Sequence, residues 1–344
     1  MTNALDLTPA QWREALAEMH QPAFRAGQVF TWLHKGADFA EMGNLPAALR
    51  KALSEAYDAR PVEIAEKFVS QIDGTVKYLY RLRDDQLIEG VRMRYHHGDT
   101  LCLSTQVGCR MGCAFCASGL EGLARNLSAG EMLGQIIAAN RDEQKIHNLV
   151  LMGSGEPLDN FDHTLDFLRL LREEGGLSIS LRSVSLSTCG IAPRIRALAD
   201  AGLPVTLSVS LHAPDDALRR TLMPIANAYP MDELLSACRY YIKQTGRRVI
   251  FEYALIAGVN AAPGQAQALA SLLRGMQCHV NLIPLNPVPE RGLPGASPAE
   301  VAAFENTLKA LHISVTRRRE MGRDISGACG QLRRRRLSTE GACP

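Results

Sequence analysis

Three cysteines, Cys109, Cys113 and Cys116, stand in the run Cys-Arg-Met-Gly-Cys-Ala-Phe-Cys, a C-x3-C-x2-C spacing. Thiolates are soft ligands that suit zinc or iron–sulfur clusters. A structural zinc site closes with four ligands. This loop offers three and no evident fourth. A [4Fe-4S] cluster held by three cysteines keeps one iron open, and an open metal position binds a substrate or cofactor directly. Gly112 and the small Ala114 let the main chain wrap a bulky group closely. A zinc loop, or three unrelated buried thiols, is the plainer alternative.

Other polar groups fall at the ends of expected strands. Gly153-Ser-Gly155-Glu156-Pro157 follows the strand expected over Asn148–Met152. Its glycines admit a ligand close to the backbone, and the Glu156 carboxylate suits an ammonium group. Taken alone it is also an ordinary βα turn. Ser187, Ser210-Leu211-His212 and Asn286 close three further strands. Hydroxyl, imidazole and carboxamide on one rim suit a ribose, a carboxylate or an adenine edge. Cys102 precedes Cys109 by seven residues, and Cys329 sits in Gly-Ala-Cys-Gly-Gln-Leu. The glycines and arginines around Cys329 suit a reactive thiolate. Cys102 also reads as a small buried hydrophobe. Cys189, Cys238 and Cys278 read as structural, and Cys343 as a tail residue without a role.

The elements that must carry these groups change along the chain. Residues 1–60 read as a small helical domain. Thr8-Pro9 starts its first helix, with a threonine cap and proline at the first position. Val29, Phe30 and Trp32 read as core, with base stacking as a second role for Trp32. Arg25, His34 and Lys35 are candidate phosphate contacts, or simply a solvated face. Residues 61–95 alternate apolar and polar around Asp73-Gly74 and Asp84-Asp85, the pattern of a small antiparallel sheet with hairpin turns. Glu89 falls in its last strand.

From residue 96 to 332 strand and helix patterns alternate. Strands are expected at Leu101–Gln106, Asn148–Met152, Ser183–Ser187, Thr206–Ser210, Val249–Leu255, Val280–Leu285 and Ile313–Thr316. Helical stretches lie between them. This is the pattern of an α/β fold with a parallel sheet, in which six or so units form a barrel or part of one. Chemistry in such barrels sits at the carboxyl ends of the strands, where the candidate residues fall. Residues 333–344 form a basic, then polar, tail expected to be loose.

The totals narrow the class. The chain has 344 residues, 46% hydrophobic, with a net charge of +2. Bulk charge therefore does not mark a nucleic-acid binder; the local run Arg317-Arg318-Arg319, Arg323 and Arg333 to Arg336 does more. No apolar run approaches the roughly eighteen residues of a membrane span. The N-terminal residues lack a basic start and an apolar core, so no signal peptide is expected. Nine cysteines without such a signal point to a reducing, cytosolic setting.

Taken together, the residues resemble the RlmN/Cfr family of radical S-adenosylmethionine (SAM) RNA methyltransferases, from Trp12 to Leu332. The resemblance rests on Thr100-Leu-Cys102-Leu-Ser-Thr-Gln-Val-Gly-Cys109 and its C-x3-C-x2-C, Arg125-Asn-Leu, Gly155-Glu-Pro, Ser210-Leu-His-Ala-Pro-Asp-Asp, Asn286-Pro and Asp324-Ile-Ser-Gly-Ala-Cys329-Gly-Gln-Leu. It implies a partial (β/α)6 radical SAM barrel carrying the helical domain and the β extension. It implies a [4Fe-4S] cluster on Cys109, Cys113 and Cys116, with a SAM site lined by Gly155, Glu156, Ser187, Ser210, Leu211, His212 and Asn286.

The implied reaction uses two SAM molecules per turnover and an external electron donor. Cys329 takes a methyl group from the first. The second is cleaved to a 5′-deoxyadenosyl radical, which abstracts hydrogen from that methyl. The carbon radical adds to an adenine ring carbon, Glu89 accepts the proton from that carbon, and Cys102 attacks the Cys329 sulfur to release product and leave a disulfide. The implied substrate is an adenosine of 23S rRNA, with tRNA as a second target, and a monomer is expected. One element departs from the RlmN branch: Leu120-Glu-Gly-Leu123 stands where that branch has Gln-Gln-Gly-Phe. C2 of adenine is favoured, and C8, the Cfr-like outcome, stays open. A radical SAM enzyme with a non-RNA substrate, or a zinc-bearing RNA-binding protein, are the competing classes.

Overall fold

A computed structural model describes residues 1–143, 145–286 and 288–325. Cys329, Cys343 and the tail with Arg333 to Arg336 lie outside the described residues.

The N-terminal part runs through β1 (Thr2–Asn3), α1 (Pro9–Glu18), α2 (Arg25–His34), α3 (Ala47–Ala56) and β2 (Tyr57–Asp58). The start of α1 is fixed as its sequence dictates. The Thr8 hydroxyl accepts from the Gln11 N–H, and the Gln11 side chain accepts from the Thr8 N–H at 2.8 Å. Trp12, Val29 and Phe30 are buried, and Trp12 packs on Tyr57 with ring centroids 4.9 Å apart. Trp32 is half-buried and its indole N–H donates to Asn44 at 2.7 Å. His34 cannot meet a phosphate. It is buried, bonded to the Phe30 carbonyl at 2.9 Å, and burial lowers its pKa to about 4.

The sheet strands follow: β3 (Val62–Val69), β4 (Val76–Leu82), β5 (Leu87–Tyr95) and β6 (Gly98–Cys102). A separate ribbon pairs β7 (Gln106–Gly108) with β8 (Leu123–Asn126). Then come α4 (Ala129–Asp142), β9 (Asn148–Leu151), α5 (Phe161–Leu170), β10 (Val184–Thr188), α6 (Ala192–Asp200), β11 (Thr206–Ser210), α7 (Asp216–Leu222) and α8 (Met231–Thr245). The described chain ends with β12 (Val249–Leu255), α9 (Pro263–Leu273), β13 (Cys278–Pro284), α10 (Pro298–Ala310) and β14 (Val315–Arg317).

Ten strands form one sheet in the order β14-β13-β12-β11-β10-β9-β6-β5-β4-β3. From β6 to β14 the neighbours are parallel, and β3 to β6 are antiparallel. The strands read from sequence as a small sheet of their own thus continue the parallel sheet, through the β5–β6 pair. Alternation along a strand tells which side chains share a face; it does not name the neighbouring strand. The expected strand Leu101–Gln106 also divides. After Cys102 the chain bonds to the turn beyond β9, with Leu103 N–H to Val150 O at 3.0 Å and Thr105 N–H to Ser154 O at 2.9 Å.

Helices cover the outer face of the parallel part, each laying an apolar stripe on it. One large hydrophobic cluster joins nine of these helices with the strands, while Leu222 of α7 packs with Cys189, Met223 and Ile256 in a smaller one. No helix is long and apolar enough to cross a membrane among the described residues.

Candidate active site

The loop carrying the three cysteines is a broad turn of the β7–β8 ribbon. Its backbone is pinned at three points. Cys109 N–H donates to Gly122 O at 2.8 Å, Ala114 N–H to Leu222 O at 2.8 Å, and Cys116 N–H to Cys113 O at 3.2 Å. Gly108 adopts φ +78°, and a Cβ there would lie 2.0 Å from the Gly122 carbonyl oxygen. A Gly108→Ala substitution is expected to open the ribbon, at about 2 kcal/mol or more. Calorimetry should show a lower Tm, and the protein should bind less iron.

Cys109 is buried, and Cys113 and Cys116 are half-buried. Burial pushes the Cys109 thiol up to about 12, and the negative charge of Cys116 and Glu156 adds to it. The Cys113 thiol is raised by burial first, then by Cys116 and Cys109. The three sulfurs therefore lie within electrostatic reach of one another. Among the described residues no three His, Cys, Asp or Glu side chains meet tightly enough for a single metal ion. A cluster spreads its thiolates over several metal atoms and does not need that triangle.

A second observation fits an anionic group here. Arg219 on α7 is fully buried, with Nη2 donating to Cys189 O at 2.7 Å. Its Nε and Nη1 are buried without a hydrogen-bond partner among the described residues. Burial disfavours its charge, and Cys189 and Cys113 are the nearest groups that restore it. An unsatisfied buried guanidinium beside the thiols is a place for negative charge.

Behind the loop lies a buried polar network. Gln135 on α4 accepts from Ser104 N–H at 2.9 Å and donates to Ser104 O at 3.0 Å. The Ser104 hydroxyl donates to Glu89 O at 2.8 Å and accepts from Ser154 N–H at 2.9 Å. Asn160 donates to the carbonyls of Thr105 and Leu127. These bonds tie β5, the cysteine segment and the Gly153–Glu156 turn into one block. Gly153 and Gly155 are required there, since a Cβ would lie 2.6 Å from Leu103 O or from Gln106 Cβ, respectively.

Glu156 is buried. One carboxylate oxygen accepts from Cys189 N–H at 2.7 Å and the other from Leu158 N–H at 3.0 Å. Burial still raises its pKa, so a cation brought beside it would be favoured. His212 ends β11 at φ +57°. Its Nδ1 accepts from Ala254 N–H at 2.9 Å, so the proton sits on Nε2, and burial, then Arg219, lowers its pKa to about 3. It is a fixed neutral donor, not an acid or base. Its ring meets Phe115 of the cysteine loop edge-to-face, at 4.6 Å between centroids. Ser187 and Ser210 are half-buried, Leu211 is buried, and Asn286 is exposed.

A cavity of about 240 Å³ opens at this end of the sheet. Val91, Met93, Cys102, Phe115, Cys116 and Asn286 are among the residues lining it, and Arg318 to Met321 form one wall. The structure thus brings Cys102 to the cysteine loop. Glu89 lies deeper, buried, with Lys77 Nζ at 3.0 Å from its carboxylate. No disulfide joins two of the described cysteines, and Cys329, the partner expected for Cys102, lies outside the described residues. Lys77, Ser104, Gln135, Asn160 and Arg219 gave no signal in the sequence except as polar residues interrupting apolar faces.

The family model of the radical SAM superfamily matches residues 103–265. That of the ribosomal RNA large subunit methyltransferase N-terminal domain matches residues 2–58. A protein of Alkaliphilus oremlandii named "Probable dual-specificity RNA methyltransferase RlmN" is 53% identical, covering 97% of this chain and 98% of its own. One of the same name from Clostridium tetani is 48% identical, with 97% of each chain covered. A crystal structure of a radical SAM methyltransferase from Sphaerobacter thermophilus superposes with a TM-score of 0.93 at 44% identity, covering 96% of this chain and 99% of that one. Likeness of this extent places the chain in the RlmN family of radical SAM RNA methyltransferases, enzymes of a [4Fe-4S] cluster and SAM.

Proposed function

We propose that this chain methylates C2 of an adenosine in 23S rRNA, and an adenosine in tRNA, through a methyl group carried on Cys329. The observation that carries the reading is the shared cavity of Cys102 and Cys116. It sets a thiol beside the three-cysteine loop.

In this reading Cys109, Cys113 and Cys116 hold the cluster. Gly155, Glu156, Ser187, Ser210, Leu211, His212 and Asn286 bind SAM, with Glu156 facing its ammonium group. When bound, the cluster and SAM supply a carbon radical able to abstract hydrogen from a methyl group. That route suits an sp2 ring carbon, which is a poor nucleophile toward a cationic methyl donor.

The chain's own groups do the rest. Cys329 carries the methyl to the base. Glu89 takes the proton of the ring C–H bond. Cys102 attacks the Cys329 sulfur and frees the product, leaving a disulfide for a reductant in the cytosol to open. Two SAM molecules are consumed per turnover, and an external donor supplies the electron to a monomeric enzyme. The target base leaves its stack to enter the cavity. Arg317, Arg318, Arg319 and Arg323 hold phosphates on the way in. Residues 1–60 serve as an accessory RNA-contacting domain, 61–95 as the extension that brings Glu89, and 96–332 as the catalytic barrel.

The test is anaerobic reaction of the reconstituted protein with SAM, reductant and protein-free 23S rRNA, read by nucleoside mass spectrometry. We expect 2-methyladenosine with the parent protein and none with Cys329→Ala. An 8-methyladenosine product would overturn the C2 assignment and tie the Leu120–Leu123 departure to regiochemistry. A parallel reaction on tRNA tests the second substrate.

A further inference from the structure

The least expected pair in the molecule is Lys77 with Glu89. Lysine and glutamate are almost never fully buried unless paired. Here Lys77 is 0% and Glu89 3% exposed, with Nζ 3.0 Å from Oε2. Both belong to the face of the sheet that looks into the cavity. In the register of β4 on β5, Leu79 pairs with Glu89 and Lys77 with Val91. Val91 in turn pairs with Cys102 on β6. Cross-strand partners share a face, and Val91 and Cys102 line the cavity. The alternate residues Tyr78 and Tyr80 point the other way, to Asp142 and to the Gln135 carbonyl on α4.

A buried carboxylate without a nearby cation takes up a proton and stops being a base. Buried ion pairs contribute little net stability compared with apolar residues of the same volume. A charged pair kept at the wall of a reactive cavity is therefore a functional candidate. Lysine suits the task, as a compact charge with three donors that turn to follow a carboxylate.

We propose that Lys77 is a positioning residue for Glu89. Its ammonium balances the carboxylate's charge across the 3.0 Å contact and aims it along the inner face toward the base. This rests on the reading of Glu89 as the proton acceptor. In the step concerned, the ring C–H bond breaks. Its proton goes to a Glu89 carboxylate oxygen, its electron pair stays in the ring, and the unpaired electron of the adduct returns to the one-electron redox partner that began the turnover. Lys77 makes no bond to the substrate. The Ser104 hydroxyl holds the Glu89 backbone, and Lys77 meets its side chain.

The experiment compares Lys77→Gln, Lys77→Arg and Glu89→Gln in the full, reconstituted protein. Three products are read from each: 5′-deoxyadenosine, methyladenosine, and RNA bound covalently to protein on a denaturing gel. For Lys77→Gln we expect methyladenosine to fall by about a hundredfold, the low end of the range for loss of general base catalysis. The covalent adduct should accumulate, while 5′-deoxyadenosine per cluster holds. A merely structural role would lower all three together, and that outcome overturns the proposal. Lys77→Arg keeps the charge and should keep most of the turnover. If Lys77→Gln fails to fold, Lys77→Arg carries the test, and its complete stall overturns the proposal. Glu89→Gln separates the two readings. If it stalls as an adduct while Lys77→Gln turns over normally, Lys77 loses its role and Glu89 keeps its own. If Glu89→Gln turns over normally, the Glu89 reading falls and this proposal with it.

Discussion

Replacing Cys113 by serine is expected to give a folded, colourless protein without methyl transfer. The loop is held by main-chain bonds at Cys109, Ala114 and Cys116, none of which uses the Cys113 side chain. The fold should therefore survive, and the Tm should move little. The chemistry should not survive. Outer partners of metal ligands typically cost about 10–100-fold when removed, so loss of a ligand itself should exceed that. The measurement is iron and sulfide per chain, with product formation, against the parent protein. A serine variant that still binds a full cluster and turns over would remove Cys113 from the ligand set. The loop should also bind its cluster with release of protons, since burial raises both Cys109 and Cys113 and keeps them as thiols until metal arrives.

The second large effect is on stability. Arg92→Leu is expected to destabilise the protein by about 3–5 kcal/mol, the range for breaking a buried ion pair by removing one partner. Arg92 is 2% exposed. Its Nε donates to Asp99 at 2.9 Å, its Nη2 also reaches Asp99, and its Nη1 lies 2.5 Å from Glu143. Lys67 on β3 bridges Asp142 and Glu143, at 2.6 and 2.9 Å. The cluster of charges thus ties β3 and β5 to the end of α4. Without Arg92, Asp99 is a buried charge with only the more distant Arg94 at 3.9 Å. Urea unfolding at neutral pH measures the loss, and a change within experimental error would show that the network is inert. The sign with pH follows from Glu143. Its pKa is lowered, by the Lys67 hydrogen bond first and by Arg92 after burial has opposed it. Its contribution is complete above the ordinary carboxylate range and is lost as pH falls through the lower folded value. The parent should therefore lose stability in acid more steeply than Arg92→Leu.

The radical SAM family was legible in the sequence because its motifs depend on residue type and spacing. The strand-end groups were legible too, since α/β periodicity places them on one rim whatever the details of packing. The inner wall was not. Lys77 sits in an alternating strand where the polar positions read as solvent-facing, yet both faces of β4 are covered. One faces the cavity and the other faces α4, so the usual inference from alternation fails. His34 fails for a similar reason: a helix shows its polar side to water only if nothing packs there. Arg219 and Gln135 are buried polar residues whose partners are main-chain groups distant in sequence, and no local pattern announces such partners.

The two outer strands of the sheet, β14 and β3, do not pair with each other. The two sides meet through the segment after β14. Gly322 N–H donates to Asp73 at 2.9 Å, while Ser70 and Gln71 donate to Asp324 at 2.6 and 2.9 Å. A strand pair such as β12–β13 carries a full ladder instead. The enclosure therefore has a seam. Local opening begins where the bonds are fewest and most exposed. Deuterium should reach the amides of Gln71 and Gly322 long before those of Tyr253 and Leu282. A wall that parts along one line can admit a bulky guest without loosening its other sides. Amides on the side that carries Arg318 to Met321 should exchange before those on the sides that carry Cys109 and Glu156.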